Sequence, residues 1–238
     1  MTEAVMSAGI LRSSEATRAT VQEHHRFDAE TVRQPRGWSL ENFAREQIRG
    51  LVLRTFFSGG ARPVRQVVFS ALEQETDVRS LCWRVGETLS RETSGGVAIV
   101  GRYPRLIQRE TPFEPDNKQQ NMPLRQSAMR IRGNLWLVPD WMRGDDPITA
   151  TSLHSFLGEV RSQFEYSIVQ GPPAGESNQT AAMAQLADGI ILVLSAQRSR
   201  RAAARKVKEM LEAAQARLLG TVLGDRAFPI PEAIYRRL

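Results

Sequence analysis

The sequence is poor in cysteine and in long apolar runs. Its 238 residues contain one cysteine, Cys82, so no disulfide can form within the chain. Cys82 lies beside Leu81 and Trp83 in a helical stretch, which favours a buried structural thiol over a reactive one. No apolar run reaches the ~18 residues that a membrane-spanning helix needs, and no charged-then-apolar export signal opens the chain. We therefore expect a cytoplasmic protein.

Residue patterns typical of hydrolases and of metal sites are also missing. The three histidines are His24, His25 and His154, and with Cys82 and the scattered acids they show no zinc-ligand spacing. The sequence contains no nucleophile elbow and no catalytic triad pattern. It therefore offers no catalytic residue and no metal site of these kinds.

Short apolar segments alternate with helical stretches along most of the chain. The segments are Val64–Ser70, Gly96–Val100, Tyr166–Gln170, Ile190–Leu194 and Thr221–Leu223. This alternation predicts an α/β fold, with a mostly parallel sheet and helices on both faces. We expect the first four segments to be the central strands.

Three helices stand out, and the remaining organisation is uneven. Ser39 can cap a helix over Leu40–Phe57, a second helix is expected over Val78–Ser90, and periodic apolar residues predict a third over Arg200–Leu218. Residues 1–37 are polar and mixed in charge, so they are expected to form a flexible tail. We expect one domain over 38–238, with a long surface loop at about 105–130.

The link between the first strand and the next helix lacks the residues of a phosphate-binding loop. Residues 71–77 read ALEQETD, with three acids and neither glycine nor lysine. A phosphate-binding loop is glycine-rich and ends in Gly-Lys-Ser/Thr, so that backbone N–H groups and a lysine surround the anion. Acids at this position favour the helix dipole but repel a phosphate. The link is expected to stand without a nucleotide.

From about Trp38 onward the chain resembles the nucleotide-binding domain of bacterial tyrosine autokinases, which belong to the deviant-Walker P-loop class. The matching segments are Phe57-Ser58-Gly59, Arg62-Pro63-Val64, Leu135-Trp136-Leu137-Val138-Pro139, Phe164-Glu165-Tyr166, Pro172-Pro173 and Leu186-Ala187-Asp188-Gly189. The resemblance implies a P-loop NTPase-like fold and a role beside cell-surface polysaccharide export systems.

The departures from this family fall on its working residues. The glycine, lysine and serine/threonine of the family's phosphate loop correspond here to Asp77, Val78 and Arg79, followed by Ser80. The family's Asp-x-Asp element corresponds to Gly101-Arg102-Tyr103. The third-strand aspartate corresponds to Gln170, and the asparagine that binds adenine corresponds to Gly224. The resemblance therefore implies a degenerate member with no catalytic residue, bound metal or cofactor. A shifted register, with Arg79 replacing the lysine and Asp77 holding the metal, is the alternative.

Two further family features are partly retained. The family carries Glu-x-x-Arg-x-x-Arg for self-association on the helix before the first strand, and this chain has Glu46, Arg49 and Val52 there. The other interpretation is an ordinary surface ion pair of Glu46 with Arg49. Val52 either turns into the core or makes an apolar contact with a partner. The family's terminal tyrosine cluster is reduced to Tyr235, which fits a packed terminal segment better than a phosphorylation site.

The net charge is +6, and cations concentrate at the start of the last helix. They are Arg198, Arg200, Arg201, Arg205, Lys206 and Lys208. Because cations there oppose the helix dipole, they form either a solvated basic face or a contact with nucleic acid, an acidic membrane face or an acidic partner segment. Interleaved aromatics are absent, so any nucleic-acid binding should be weak.

The sequence as a whole favours a catalytically inactive relative of the tyrosine autokinases that acts by protein contact. Its expected partner is a polysaccharide export or co-polymerase component, or a second copy of the chain, at the inner face of the membrane. Two alternatives remain open. One is an active nucleotide-binding tyrosine kinase or ATPase with an unorthodox site, and the other is a basic, nucleic-acid-associated partition-type protein.

Overall fold

The computed structural model of this protein describes residues 40–59, 62–101, 124–139 and 149–225. The expected tail at 1–37, the Tyr103 position, most of the expected loop at 105–130, and Tyr235 lie outside these ranges.

Helices and strands alternate through the described ranges. In chain order they are α1 Leu40–Phe56, β1 Gln66–Ala71, α2 Val78–Glu92, β2 Val97–Gly101, α3 Leu124–Ser127, β3 Met129–Arg132, β4 Leu135–Pro139, α4 Ala150–Gln163, β5 Tyr166–Gln170, α5 Gln179–Leu186, β6 Gly189–Ser195, α6 Arg201–Ala213 and β7 Leu218–Gly224. Within these ranges no helix has both the length and the apolar character needed to cross a bilayer.

The strands form one seven-stranded sheet in the order β3-β4-β2-β5-β1-β6-β7. Every neighbouring pair is parallel except β3 with β4. The four segments expected as central strands are β1, β2, β5 and β6, and they are adjacent in the middle of the sheet. The predicted mostly parallel α/β fold is therefore confirmed. The antiparallel edge strand β3 was not predicted.

Alternating side chains of the sheet divide the core into two layers. On one face Val67, Phe69 and Ile191 pack with α1 and α2, and on the other Val68, Leu192 and Val169 pack with α4, α5 and α6. Burial on both faces is the reason that these strands are apolar throughout rather than alternating with polar residues.

The last helix is shorter than its periodicity predicts. It ends at Ala213 instead of Leu218, because Gln215 adopts a left-handed conformation with φ 56°. The N–H of Gln215 then bonds the Glu212 carbonyl, and the N–H of Ala216 bonds the Leu211 carbonyl, which is a Schellman turn. This turn frees Leu218 to begin β7.

The expected loop at 105–130 also ends earlier than predicted. Leu124–Ser127 forms a helical turn, and Met129 opens the edge strand β3. This part of the sequence contains few apolar residues, so it does not look like a strand. β3 forms because it pairs with the strongly apolar β4.

Candidate functional site

The candidate site lies at the carboxyl edge of the sheet. The central strands β2, β5, β1 and β6 are parallel neighbours, so the link after β1 lies between the ends of β5 and β6. In open α/β sheets the crevice outside the carboxyl ends of the strands is where ligands bind. The link of residues 72–77 connects β1 to the N-terminus of α2, the place where a P-loop protein holds phosphate.

The N-terminus of α2 is occupied by a carboxylate of the chain itself. Asp77 is the N-cap, and its Oδ1 accepts a 3.1 Å hydrogen bond from the Ser80 backbone N–H, while its Oδ2 accepts one from Ser80 Oγ. These bonds, the side-chain one first, hold the pKa of Asp77 below its usual range. A negative charge at this position satisfies the helix dipole. The helix end therefore has its own anion.

Val78, which the sequence resemblance matches to the P-loop lysine, faces the core. Val78 is 5 % exposed and belongs to the cluster between the sheet and the α1–α2 layer. The following residues, Arg79 and Ser80, are exposed. In the shifted-register alternative Asp77 would hold a metal, but both of its oxygens are engaged in capping α2. In that alternative the Asp77 carboxylate would be shared between the metal and the cap.

A second carboxylate fixes the link from the other side. Ser199 Oγ donates a 2.7 Å hydrogen bond to Glu73 Oε2 and accepts a 2.8 Å bond from the backbone N–H of Ser195. The Leu72 N–H also bonds the Val193 carbonyl at 3.0 Å. The link after β1 is thus tied to the end of β6 by backbone and side-chain bonds. Sequence reasoning missed this contact, because Glu73 and Ser199 are far apart in the chain.

The segment after β5 closes onto the same link. Ala174 N–H bonds the Ala71 carbonyl at 2.7 Å, and Gly175 N–H bonds the Leu72 carbonyl at 3.1 Å. A side chain on Gly175 would place its Cβ 2.5 Å from that carbonyl oxygen, so only glycine permits this approach. The Pro172 carbonyl accepts bonds from Ser70 Oγ at 2.6 Å and from Thr180 Oγ1 at 2.8 Å.

Three further positions were matched to the family's nucleotide site by the sequence resemblance, and only two of them lie on neighbouring strands. Gly101 and Gln170 end the neighbouring strands β2 and β5 and, by alternation along each strand, share the sheet face on which α2 packs. Gly224 ends β7, two strands from β1. The side-chain oxygen of Gln170 is buried and has no hydrogen-bond partner within the described part of the chain.

Among residues 40–59, 62–101, 124–139 and 149–225, no three His, Cys, Asp or Glu side chains form a group that could hold a metal ion. Gln170, which the sequence resemblance matches to an aspartate, offers one neutral oxygen. Glu73 and Asp77, the engaged acids of the link, already bond to serine hydroxyls. Within the described ranges these acids therefore do not come together with a third metal-binding side chain.

Cys82, on the second turn of α2, is fully buried. Desolvation raises the pKa of its thiol far above the usual range. This agrees with the structural role expected from the sequence.

The expected self-association residues lie on α1, away from the carboxyl edge. Arg49 forms a 2.9 Å ion pair with Glu92 at the end of α2, rather than with Glu46. Of the two alternatives for Val52, the structure shows the inward one, since Val52 is fully buried. Glu46 and Arg49 remain exposed.

A polar network lies at the opposite edge of the sheet, around Asp188. In the sequence, Asp188 stands out only as part of the Leu-Ala-Asp-Gly segment that resembles the tyrosine autokinases. Asp188 Oδ2 accepts 2.7 Å bonds from the backbone N–H groups of Arg65 and Gln66, and Oδ1 accepts a 2.9 Å bond from Arg161. The Leu-Ala-Asp-Gly segment therefore serves to join the start of β1 to the turn before β6.

Neither a protein-family model nor a curated protein sequence matches the chain. Solved structures do match in fold. The chimerical protein CapA2B2 shares 16% identity, with a TM-score of 0.64 over 77% of this chain and 85% of that one. The kinase domain of the Escherichia coli tyrosine kinase ETK shares 14% identity, with a TM-score of 0.63 over 79% of each chain.

A third similar structure is the cell division protein MinD of Aquifex aeolicus. It shares 18% identity, with a TM-score of 0.54 over 73% of each chain. At sequence identities this low, the structural similarity establishes the fold alone, and any chemistry has to be argued from the site itself. The chain has the P-loop NTPase-like fold that is found in bacterial tyrosine kinase domains and in MinD.

Proposed function

We propose that this protein is a catalytically inactive relative of the bacterial tyrosine autokinases and that it acts by protein contact. The observation that carries the proposal is the Asp77 carboxylate at the N-terminus of α2, engaged with Ser80. It lies where the helix of a P-loop protein binds phosphate. A nucleotide would have to displace it.

Electrostatics oppose a nucleotide further. Glu73, Glu75 and Asp77 all lie in the link. At an effective dielectric of about 20, one carboxylate about 5 Å from a phosphate charge repels it by about 3 kcal/mol. Phosphoryl transfer depends on charge neutralisation by lysine and metal, and at the lysine position Val78 is buried in the core.

The proposed setting is a cell-surface polysaccharide system, at the inner face of the membrane. Support for it comes from the resemblance of the sequence to the tyrosine autokinases and from the shared fold. The partner in this proposal is an export or co-polymerase component, or a second copy of the chain.

The proposed contact surface is the groove between α1 and α2. This open groove has a volume of about 610 Å³. Its lining residues are Glu41, Ala44, Arg45 and Ile48 of α1, and Arg84, Glu87, Thr88 and Arg91 of α2. Two apolar residues, Ala44 and Ile48, lie among charged side chains of both signs. Such a lining suits a protein segment better than a nucleotide, because it offers no cradle of backbone N–H groups.

Isothermal titration calorimetry with ATP and Mg²⁺ tests the proposal. We expect a dissociation constant no tighter than ~1 mM, or about −4 kcal/mol, and no labelling of the protein by radioactive ATP. The matched control is the same titration in excess EDTA, which should give the same weak heat. Micromolar binding that disappears with EDTA would show an active nucleotide site and overturn the proposal.

A further inference from the structure

A compact basic surface lies at the start of α6. It consists of Arg198, Arg200, Arg201, Arg205 and Lys206, named here the α6 cluster, and all five side chains are exposed. Within the described residues none of the five forms an ion pair. The sixth cation, Lys208, differs, since it pairs with Glu212 at 3.4 Å.

Helix stability does not account for the α6 cluster. The N-terminal end of a helix carries positive partial charge, so cations there are unfavourable. Arg200 is the N-cap and makes no side-chain capping bond, and the first turn contains no acid. The cluster therefore adds its charge to that of the helix end and concentrates positive potential at one point of the surface.

Acidic residues surround this point on two sides. On the exposed side of α6 the basic half is followed by Glu209 and Glu212. Across the sheet edge, Glu73, next to Ser199, opens the acidic link that also contains Glu75 and Asp77. From Arg201 to Lys206 the helix rises only about 8 Å, so the positive surface is short.

This charge pattern discriminates between polyanionic partners. A DNA duplex or an anionic bilayer presents negative charge over a long surface, and either would also meet the flanking acids. Between the cations, α6 exposes only Ala202 and Ala203, so it offers no aromatic group for base stacking and no large apolar group for insertion into lipid. A short anionic segment meets fewer of these acids than either of the two long surfaces does.

We propose that the α6 cluster binds a short acidic segment, rich in aspartate and glutamate, of a partner protein. Arginine suits this partner because its guanidinium group bonds a carboxylate in a bidentate manner. This inference deepens the proposed function and rests on it in one respect, namely that the chain acts by protein contact.

Fluorescence anisotropy of the full chain with a labelled peptide of about four glutamates, short enough to match the positive surface, tests the inference at ~50 mM salt. The variant R200Q/R201Q/R205Q should weaken binding at least tenfold. The matched control R62Q/R132Q/R217Q changes the net charge equally at exposed arginines outside both the α6 cluster and the α1–α2 groove and should weaken it less than about twofold. R200K/R201K/R205K should weaken binding about threefold.

Competing probes identify the class of partner. A 16-base-pair duplex and vesicles with about 30% phosphatidylserine should respond equally to the two glutamine variants, because they sense net charge alone. Since the α6 substitutions remove cations from a helix N-terminus, they should leave the melting temperature unchanged or raise it, so a loss of binding is not a loss of folding.

Three outcomes would overturn the inference. They are no peptide binding up to ~1 mM, equal weakening by the two glutamine variants, and a selective effect of the α6 variant on DNA or vesicles instead of the peptide. None of these depends on the ATP titration. The failure of the inference and that of the proposed function are therefore distinguishable.

Discussion

Ser199 donates a 2.7 Å hydrogen bond to Glu73, and this bond joins the turn after β6 to the link after β1. The same hydroxyl accepts a bond from the buried backbone of Ser195. A carboxylate thus holds the link after β1 against the turn after β6. In this chain the carboxyl edge is held by its own side chains.

Replacing Ser199 with alanine should lower the free energy of unfolding by about 2 kcal/mol, because the buried Ser195 N–H loses its acceptor. Glu73→Gln should cost less, since the amide keeps an acceptor for Ser199. Urea denaturation measures both. Ser162, whose exposed hydroxyl bonds only a helix carbonyl, provides the control, and Ser162→Ala should change stability by less than about 0.5 kcal/mol. Equal effects of the two alanine variants would contradict a role for the contact.

Restoring the lysine alone should not restore nucleotide binding. Val78 is 5 % exposed, so Val78→Lys places an ammonium group in an apolar layer and should destabilise the fold by about 3 kcal/mol. Calorimetry should show no gain in ATP affinity. Arg79→Lys, at the exposed neighbouring position, should leave stability within about 0.5 kcal/mol. A stable Val78→Lys protein with micromolar ATP affinity would contradict the placement of this side chain.

Asp77 should make stability depend on pH in the acid range. Its pKa is lowered in the fold by the Ser80 hydroxyl and then by the Ser80 backbone N–H. The ionised form is thus favoured in the folded state. Its contribution is fully present above the unfolded pKa of about 4 and is lost as the pH falls through the lowered value.

Asp77→Asn keeps a capping side chain without the charge. We expect urea unfolding between pH 7 and pH 2 to show a shallower loss of stability for this variant than for the wild type. Asp77→Ala should cost about 1 kcal/mol at pH 7 through loss of the cap. An unchanged acid slope in Asp77→Asn would show that other carboxylates dominate.

Asp188→Ala should be among the more damaging single substitutions. It removes an acceptor for the two backbone N–H groups of Arg65 and Gln66, both at 2.7 Å. Bonds to a charged group contribute about 1.5–3 kcal/mol each, so we expect a loss of about 3 kcal/mol in chemical denaturation. Arg161→Gln, which removes only the partly exposed ion-pair partner of Asp188, should cost less than about 1 kcal/mol.

Exchanging the charges of Arg49 and Glu92 distinguishes two roles of Arg49, an ion pair within the chain and a contact with a second copy of the chain. Each single reversal places like charges together, whereas Arg49→Glu with Glu92→Arg restores an ion pair of reversed polarity. We expect the double variant to recover stability within about 0.5 kcal/mol. If two copies of the chain associate through α1, sedimentation should show weaker association for the double variant, and separately for Glu46→Arg, than for the wild type. A wild type that is monomeric at high concentration would contradict self-association through α1.

The local pattern of apolar residues was sufficient to predict the four central strands. The apolar segments that became β1, β2, β5 and β6 are buried on both faces, so their continuous hydrophobicity carried the strand assignment. The edge strand β3 and the end of α6 were not predicted. β3 forms because it pairs with β4, and α6 ends at Ala213 because Gln215 adopts a left-handed conformation in a Schellman turn.

The candidate site divides in the same way. The sequence by itself determined that the link at residues 71–77 contains neither glycine nor lysine, because residue identity alone decides whether such groups exist. Only the tertiary structure decided what takes their place. Asp77 caps α2, Val78 turns inward, and Ser199 reaches Glu73 across 126 residues of sequence. Contacts of that kind arise from the parallel packing of β1 beside β6, which no local pattern encodes.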